Sequence, residues 1–432
     1  MRFRCLLMMA LCAVVAAAQL AMAQTAPELS RPDLSRPDLS RPDLSREDKW
    51  REDLRYLADE LPKRHKNLFF KITREQFDRE LARISESVPK LTDAEIKLAL
   101  WRLAAMIGDA HTRIQYGKEK TYPVILYQFS DGVFVAAATE EYKAALGAKL
   151  VKIGKTDIER AKESARSIIP VENESWFKQQ FPNYLTDPEV LRLLKILPDG
   201  NEGEFTFKDR KGKQFSLKLR PVSTKEPIKL IRPFDSSPDK VPLYLRNPEL
   251  YYWYEYLADS KTLYLNYRRC ANMSSQPFKQ FAETVLKFMD ENPVERMVID
   301  LRLNGGGNSA IFNPFILALR KRQDVNQTGK LFVLIGRGTF SSAYLNALWL
   351  KNMTRAILVG EPAGQKPNHY GEVRTMNLPH SKLLVQYSTE YFKTMNDDPP
   401  SLAPDVPVER SSGDFVAGRD PVLERVLNYK GR

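Results

Sequence analysis

Between Met297 and Gly371 the chain alternates short apolar runs with helical patterns in an order that leaves few folds open. Val298 to Leu301 is an apolar run that stops at Gly305, Gly306 and Gly307, and a helical pattern carrying Phe312, Phe315, Ile316 and Leu319 follows. A second run, Leu331 to Ile335, ends in Gly336-Arg337-Gly338-Thr339-Phe340, after which Ser341 and Ser342 open another helix. The third run, Ala356 to Val359, leads into a polar loop over Glu361 to Tyr370. Strands of four or five apolar residues joined by helices form βαβ units, and such units predict a mostly parallel sheet buried on both faces. Successive glycines can turn backbone amides toward a ligand. A hydroxyl at a strand-to-helix turn is well exposed, and the helix dipole favours an oxyanion beside it. The block points to acyl-transfer chemistry.

The fold class expected for the chain is therefore α/β, with other material in front of this core. Residues 47–118 carry apolar residues at helical spacing, as in Leu54, Leu57, Leu61 and Phe77, Leu81, Ile84, and form a helical N-terminal subdomain. Gly108 is a natural stop for its last helix, which puts His111 of Asp109-Ala110-His111-Thr112 on a turn. Residues 119–225 hold short strand-like runs separated by glycines, with Glu204 to Phe207 pairing with Phe215 to Leu219 across Lys211-Gly212, and predict a small β-rich module. It is either a structural insertion or a surface on which an extended peptide adds to a strand edge. Residues 226–432 form the catalytic domain. Pro227 to Tyr256 reads as a connection into it, Thr262 to Tyr267 as its first strand, and Lys382 to Tyr387 as a late strand in a hairpin with Glu372 to Met376.

The ends set the compartment. Arg2 and Arg4 precede the apolar stretch Cys5 to Val15, and Ala21-Met22-Ala23 has the small-x-small form of a signal-peptidase site, so residues 1–23 read as a signal peptide cleaved after Ala23. The expected location is periplasmic or secreted. No later run approaches the roughly 20 apolar residues of a membrane helix, so the mature chain is expected to have no transmembrane segment. Residues 24–46 repeat Ser-Arg-Pro-Asp-Leu from Ser30, Ser35 and Ser40; proline at every fifth position blocks helix and makes a neutral extended linker. Cys5 and Cys12 leave with the signal, and Cys270 alone builds no disulfide framework. The net charge of +12 is dispersed, without a nucleic-acid motif, and nucleic acid is not an expected partner.

Val-Ile-Asp-Leu-Arg followed by glycines, Gly-Thr-x-Ser before a helix, Val-Gly-Glu-x-x-Gly after the next strand, the Asp-x-His-Thr turn and the late Ala403-Pro404-Asp405-Val406 together resemble the tail-specific, or C-terminal-processing, serine peptidases, including tricorn-like members. The resemblance spans most of residues 50 to 425 and implies a crotonase-like catalytic core. Leu146 to Ile158 is similar to part of a PDZ-type peptide-binding module, without its usual ligand-loop signature.

Carried over by position, the resemblance implies Ser341 as nucleophile, with the amides of Gly306 and Ser342 as the oxyanion hole. A plain helix-capping serine is the alternative, and Thr339 or Ser342 could share that duty. Two bases fit the family: His111, as in tricorn-like members, and Lys366, as in Ser-Lys members. His111 is favoured because histidine needs no large pKa shift, whereas lysine must be brought down to roughly 7 to 8. His369 is a third candidate. The carboxylate that would orient His111 stays open among Asp109, Asp397 and Asp398. No zinc, phosphate-loop or nucleophile-elbow motif accompanies these residues, and neither a metal nor another cofactor is expected. The implied function is an exported serine peptidase working through an acyl-enzyme on a protein or peptide substrate, with processing of C-terminal tails as its finer form. A non-catalytic peptide-binding protein and a small ester or amide hydrolase are the alternatives. Oligomeric state is not legible.

Overall fold

The computed structural model describes residues 44–115 and 117–430; the expected leader and almost all of the repeat segment lie outside them. Three helices open the described chain: Arg46–Arg64, Arg74–Ser87 and Asp93–Ile107. The second and third begin in capping boxes, Thr73 with Gln76 and Thr92 with Glu95, each satisfying two backbone N–H groups that the helix leaves unpaired. Gly108 ends the third with φ 74°, a left-handed turn that costs glycine little. Leu54, Leu57, Leu61, Phe77, Leu81 and Ile84 are buried, as their spacing predicts.

An antiparallel sheet of six strands follows: five in the order Val124–Phe129, Gly132–Ala138, Lys149–Ile153, Gly203–Lys208, Gln214–Leu219, and the short Thr156–Asp157 paired with Lys149–Ile153. The expected hairpin is present, with Phe205 opposite Leu217 and Phe207 opposite Phe215. Helices Ile158–Arg166, Glu174–Tyr184 and Pro188–Leu193 lie between Thr156–Asp157 and Gly203–Lys208 in sequence. One apolar cluster runs from Trp50 to Leu219, so the helical and β-rich segments share a core.

The second large sheet is built from Tyr252–Leu257, Thr262–Tyr267, Arg296–Asp300, Leu331–Ile335, Ile357–Gly360 and Val406–Pro407, neighbours in that order. Its first pair is antiparallel and the rest parallel. Alternate residues feed two cores, as a buried sheet requires. Leu263, Met297, Ile299, Leu331, Val333 and Leu358 pack toward helices Phe278–Glu291, Asn313–Lys321 and Ser342–Met353; Tyr264, Val298, Phe332, Leu334 and Val359 face helix Pro421–Leu427. Tyr252–Leu257 is a strand in what reads from sequence as connection, because Tyr-Trp-Tyr-Glu-Tyr-Leu shows no clean alternation of apolar and polar residues.

The late hairpin is longer than its apolar pattern suggests, His369–Asn377 against Leu384–Phe392. Its second strand also pairs with Arg113–Ile114, in register Arg113 with Gln386 and Ile114 with Val385. That contact carries the His111 turn onto the catalytic half. Among the described residues no helix is long and apolar enough to cross a membrane.

Candidate active site

The segment that presents Ser341 is stitched to the loop after strand Arg296–Asp300. Thr339 Oγ1 donates to the Leu301 carbonyl at 2.8 Å and accepts the Gly336 N–H at 3.0 Å, and the Phe340 N–H donates to the Asn304 carbonyl at 3.1 Å. Thr339 is thereby committed to structure. Ser341 has φ 53° and ψ −127°, a conformation that costs a non-glycine residue on the order of 1–3 kcal/mol. It stands at the N-terminus of helix Ser342–Met353 yet makes no capping bond with its side chain, so the capping alternative does not account for it. Ser342 is tied instead, its Oγ donating to the Gly307 carbonyl at 2.6 Å.

Gly306 faces this turn at close range. A Cβ there would lie 2.8 Å from Ser341 Cβ and 3.1 Å from Ser342 N, at φ 107°. Its own N–H, however, donates to Asn304 Oδ1 at 2.9 Å, and Asn304 Nδ2 donates to the Tyr267 carbonyl. The glycine stands against the Ser341 turn, with its amide held by Asn304. Gly306→Ala is expected to cut kcat/KM on the order of a hundredfold or more with the fold retained, which peptidase assays paired with circular dichroism will check.

The Asp109–Thr112 turn arrives from the other side. Asp109 is fully buried and accepts four bonds: from His65 Nε2 (3.0 Å), the His111 N–H (2.9 Å), Thr112 Oγ1 (2.5 Å) and Ser388 Oγ (2.6 Å). Burial alone would raise its carboxyl, but these donors and His111 hold it below the usual aspartate range. The His111 carbonyl accepts from Gln386 Nε2 at 2.9 Å, and its ring packs on Phe340, centroids 4.6 Å apart. His111 therefore touches the residue next to Ser341. The ring is buried, and neither nitrogen has a hydrogen-bond partner among the described residues. Burial pushes its pKa below 6.5, partly opposed by Asp109, whose Oδ1 is 4.0 Å from Nδ1.

The other candidates are engaged elsewhere. Lys366 Nζ donates to Asp398 Oδ2 at 2.5 Å in a partly exposed ion pair. The Asp397 carbonyl accepts from Asn368 Nδ2. His369 Nδ1 is bonded to the Pro367 carbonyl at 2.9 Å, and burial lowers its pKa to about 4; its ring stands 6.2 Å from that of His111.

The segment Glu172–Trp176, which sequence reasoning passed over, completes the surroundings. Trp176 stacks on Phe340 at 3.9 Å, and Asn173 Nδ2 donates to the Pro400 carbonyl. Glu172 accepts from Gln365 Nε2 at 2.7 Å and from the Ala110 N–H at 3.4 Å, while Gln365 Oε1 accepts the Ser341 N–H at 3.3 Å. Ligating atoms of Asp109, His111 and Glu172 lie within 4.8 Å of one another, the one grouping among the described residues that could hold a cation. Nothing in Pro-Val-Glu-Asn-Glu-Ser-Trp marks this role except Asn173, which caps helix Glu174–Tyr184.

Structural comparison finds mature CPAF complexed with lactacystin at TM-score 0.59 and 13% identity, over 88% of this chain and 99% of that chain. Mature CPAF alone gives 0.58 and 14%, over 89% and 99%. At such identities the likeness is one of fold, here an α/β protease fold. No curated protein matches the chain by sequence. Residues 261–408, which carry Gly306, Ser341 and Lys366, match the model of peptidase family S41, and that match marks this part of the chain as a serine-type peptidase, a hydrolase of protein or peptide substrates.

Proposed function

We propose that the chain is an exported endopeptidase or tail-processing peptidase in which Ser341 attacks the scissile carbonyl and His111 is the base. The observation that carries this reading is the strained backbone of Ser341, whose side chain makes no capping bond and which follows Phe340, against whose ring the buried His111 packs at a 30° tilt with no hydrogen-bond partner at either nitrogen among the described residues. His111 takes the hydroxyl proton as the acyl-enzyme forms and returns it to the leaving amine. The Ser342 N–H and the Gly306 segment are assigned to the oxyanion, the Gly306 amide exchanging Asn304 Oδ1 for the developing charge. Lys366 is assigned to its ion pair with Asp398, which turns its ammonium away from the nucleophile's turn.

The parallel sheet with its flanking helices supports a crotonase-like core over 226–432. The antiparallel sheet and helices of 119–225 support a PDZ-like module that presents the substrate, packed on a helical segment over 47–118. Export rests on the sequence of residues 1–23 alone, and action on C-terminal tails on the family resemblance.

The reading is tested by incubating the mature protein with a peptide library and following cleavage by mass spectrometry beside Ser341→Ala. Equal cleavage by the variant would end it; cleavage of chromogenic esters without peptides would favour the small-ester hydrolase. A lowered His111 pKa has a further consequence. The base stays neutral into mildly acidic solution, so the acid limb of kcat/KM due to His111 is expected below 6.5. A limb unmoved in His111→Gln would assign it to another group.

A further inference from the structure

Glu172 is a carboxyl on the β-rich side of the molecule that reaches both halves of the site. Toward the nucleophile, Gln365 acts as a rigid link: its Nε2 donates to Glu172 Oε2 at 2.7 Å and its Oε1 accepts the Ser341 N–H at 3.3 Å. On the base side, Glu172 Oε1 accepts the N–H of Ala110, the residue before His111, and a carboxylate oxygen lies within 4.8 Å of a His111 ring nitrogen. The other carboxylates considered for orienting His111 are otherwise occupied: Asp109 by four donors, Asp398 by Lys366. Among the described residues, Glu172 is the carboxylate that bonds to the chain of contacts ending on Ser341 and also lies within 4.8 Å of a His111 ring nitrogen.

We propose that Glu172 is the positioning carboxylate of this active site, holding Ser341 through Gln365 and orienting the His111 imidazolium as it forms. The inference rests on the Ser341–His111 reading. Its charge would stabilise the protonated ring during proton transfer and strengthen the hold on Gln365, since a carboxylate accepts a stronger hydrogen bond than a neutral acid.

The groups facing Glu172 fix its protonation. Asp109 and His111 approach from the turn, with His65 behind Asp109 and Arg113 and His369 beyond His111; from the loop side Lys366 turns its ammonium to Asp398. Burial raises the Glu172 carboxyl to about 8, Asp109 adds to the rise, and the Ala110 and Lys366 amides oppose it. Near neutral pH much of it is protonated, and it ionises as pH rises. Activity should therefore climb through a second limb near pH 8, above the one set by His111.

The experiment is a pH profile of kcat and KM from 5 to 10 for the full mature chain and for Glu172→Gln, Glu172→Asp, Gln365→Ala and Ser341→Ala, with thermal unfolding as a check on folding. The wild type is expected to show the limb near 8. Glu172→Gln keeps the shape and one acceptor oxygen, which can serve Gln365, but loses the charge and the second acceptor that Ala110 uses. It should lose that limb, with kcat down on the order of tenfold to a hundredfold above pH 8 and KM little changed. Glu172→Asp should restore part of the limb, and Gln365→Ala should lower kcat while keeping it. A Glu172→Gln profile that superimposes on the wild type after scaling would show a merely structural residue and overturn the proposal. An active Ser341→Ala would instead overturn the nucleophile reading, so the two failures are separable.

Discussion

Ser341→Ala is expected to lower kcat/KM for peptide cleavage by at least about 10⁴-fold, to the level left by binding and the oxyanion site alone. The loss should come without unfolding, because the Ser341 side chain caps nothing. Alanine keeps the Cβ and hence the backbone strain at φ 53°, so its thermal midpoint should match the wild type. Glycine does not. Ser341→Gly should be equally inactive yet more stable by about 1–2 kcal/mol, less whatever entropy glycine adds to the unfolded chain. A stabilised, dead glycine variant beside an unchanged, dead alanine variant would show that the turn stores strain to aim the hydroxyl. In parallel, His111→Ala should cost on the order of 10²–10⁴-fold, the usual worth of a general base. Lys366→Ala removes a partly exposed ion pair and should stay within about tenfold, since such pairs are worth ~1 kcal/mol or less. A dead Lys366→Ala with an active His111→Ala would reverse the assignment of the base.

The parts of this fold legible in the sequence are those with short-range causes. The parallel strands announce themselves as apolar runs and Gly108 as a helix stop, because each is settled by a few neighbouring residues. The strand-to-helix turn that carries Ser341 is legible for the same reason, since Gly336–Phe340 lie directly before it. The carboxyl on the base side was not. Glu172 comes within reach of His111 only because strand Leu384–Phe392 pairs with Arg113–Ile114 and helix Glu174–Tyr184 lays Trp176 on Phe340, contacts between residues far apart in sequence. The orienting carboxylate stays open in the sequence for the same reason, since the partners of Asp109 and Asp398, among them Ser388 and Lys366, are met only in the fold. Strand Tyr252–Leu257 was missed because its aromatic run has no period to read.

Arg302, in the same Asp-Leu-Arg motif that pointed to the family, has a different task, and its replacement should give the largest loss of stability. Its guanidinium lies between two carboxylates, accepted by Asp300 Oδ1 and Oδ2 (3.0 and 2.5 Å) and by Asp420 Oδ1 and Oδ2 (both 2.7 Å), with all three side chains no more than 7% exposed. Tyr264 Oη donates to Asp300 at 2.7 Å, and Asp420 caps helix Pro421–Leu427. Arg302→Met fills similar space but strands two buried acids, a change that costs about 3–5 kcal/mol. The sign of the pH response identifies the cause. In the wild type, burial would raise the Asp420 carboxyl, but Arg302 holds it below its ordinary value, so its contribution is present above pH 3.8 and lost as pH falls through the lowered value. Without Arg302 only Arg410 and the Leu423 N–H oppose burial at that position, so the pKa rises and less of that stability survives as pH increases. The gap between wild type and variant should therefore narrow steadily as pH is lowered toward 4 in urea unfolding. Adding Asp300→Asn and Asp420→Asn to Arg302→Met should recover most of the loss and flatten that dependence. If the single variant keeps the same deficit at every pH, the arginine contributes packing and its charge is incidental. The backbone at Arg302 packs so closely on the Ser341 loop that a Cβ on Gly338 would come within 2.6 Å of its carbonyl, so a shift of this segment should be felt there: peptidase activity should fall with stability in the single variant and return with it in the triple one.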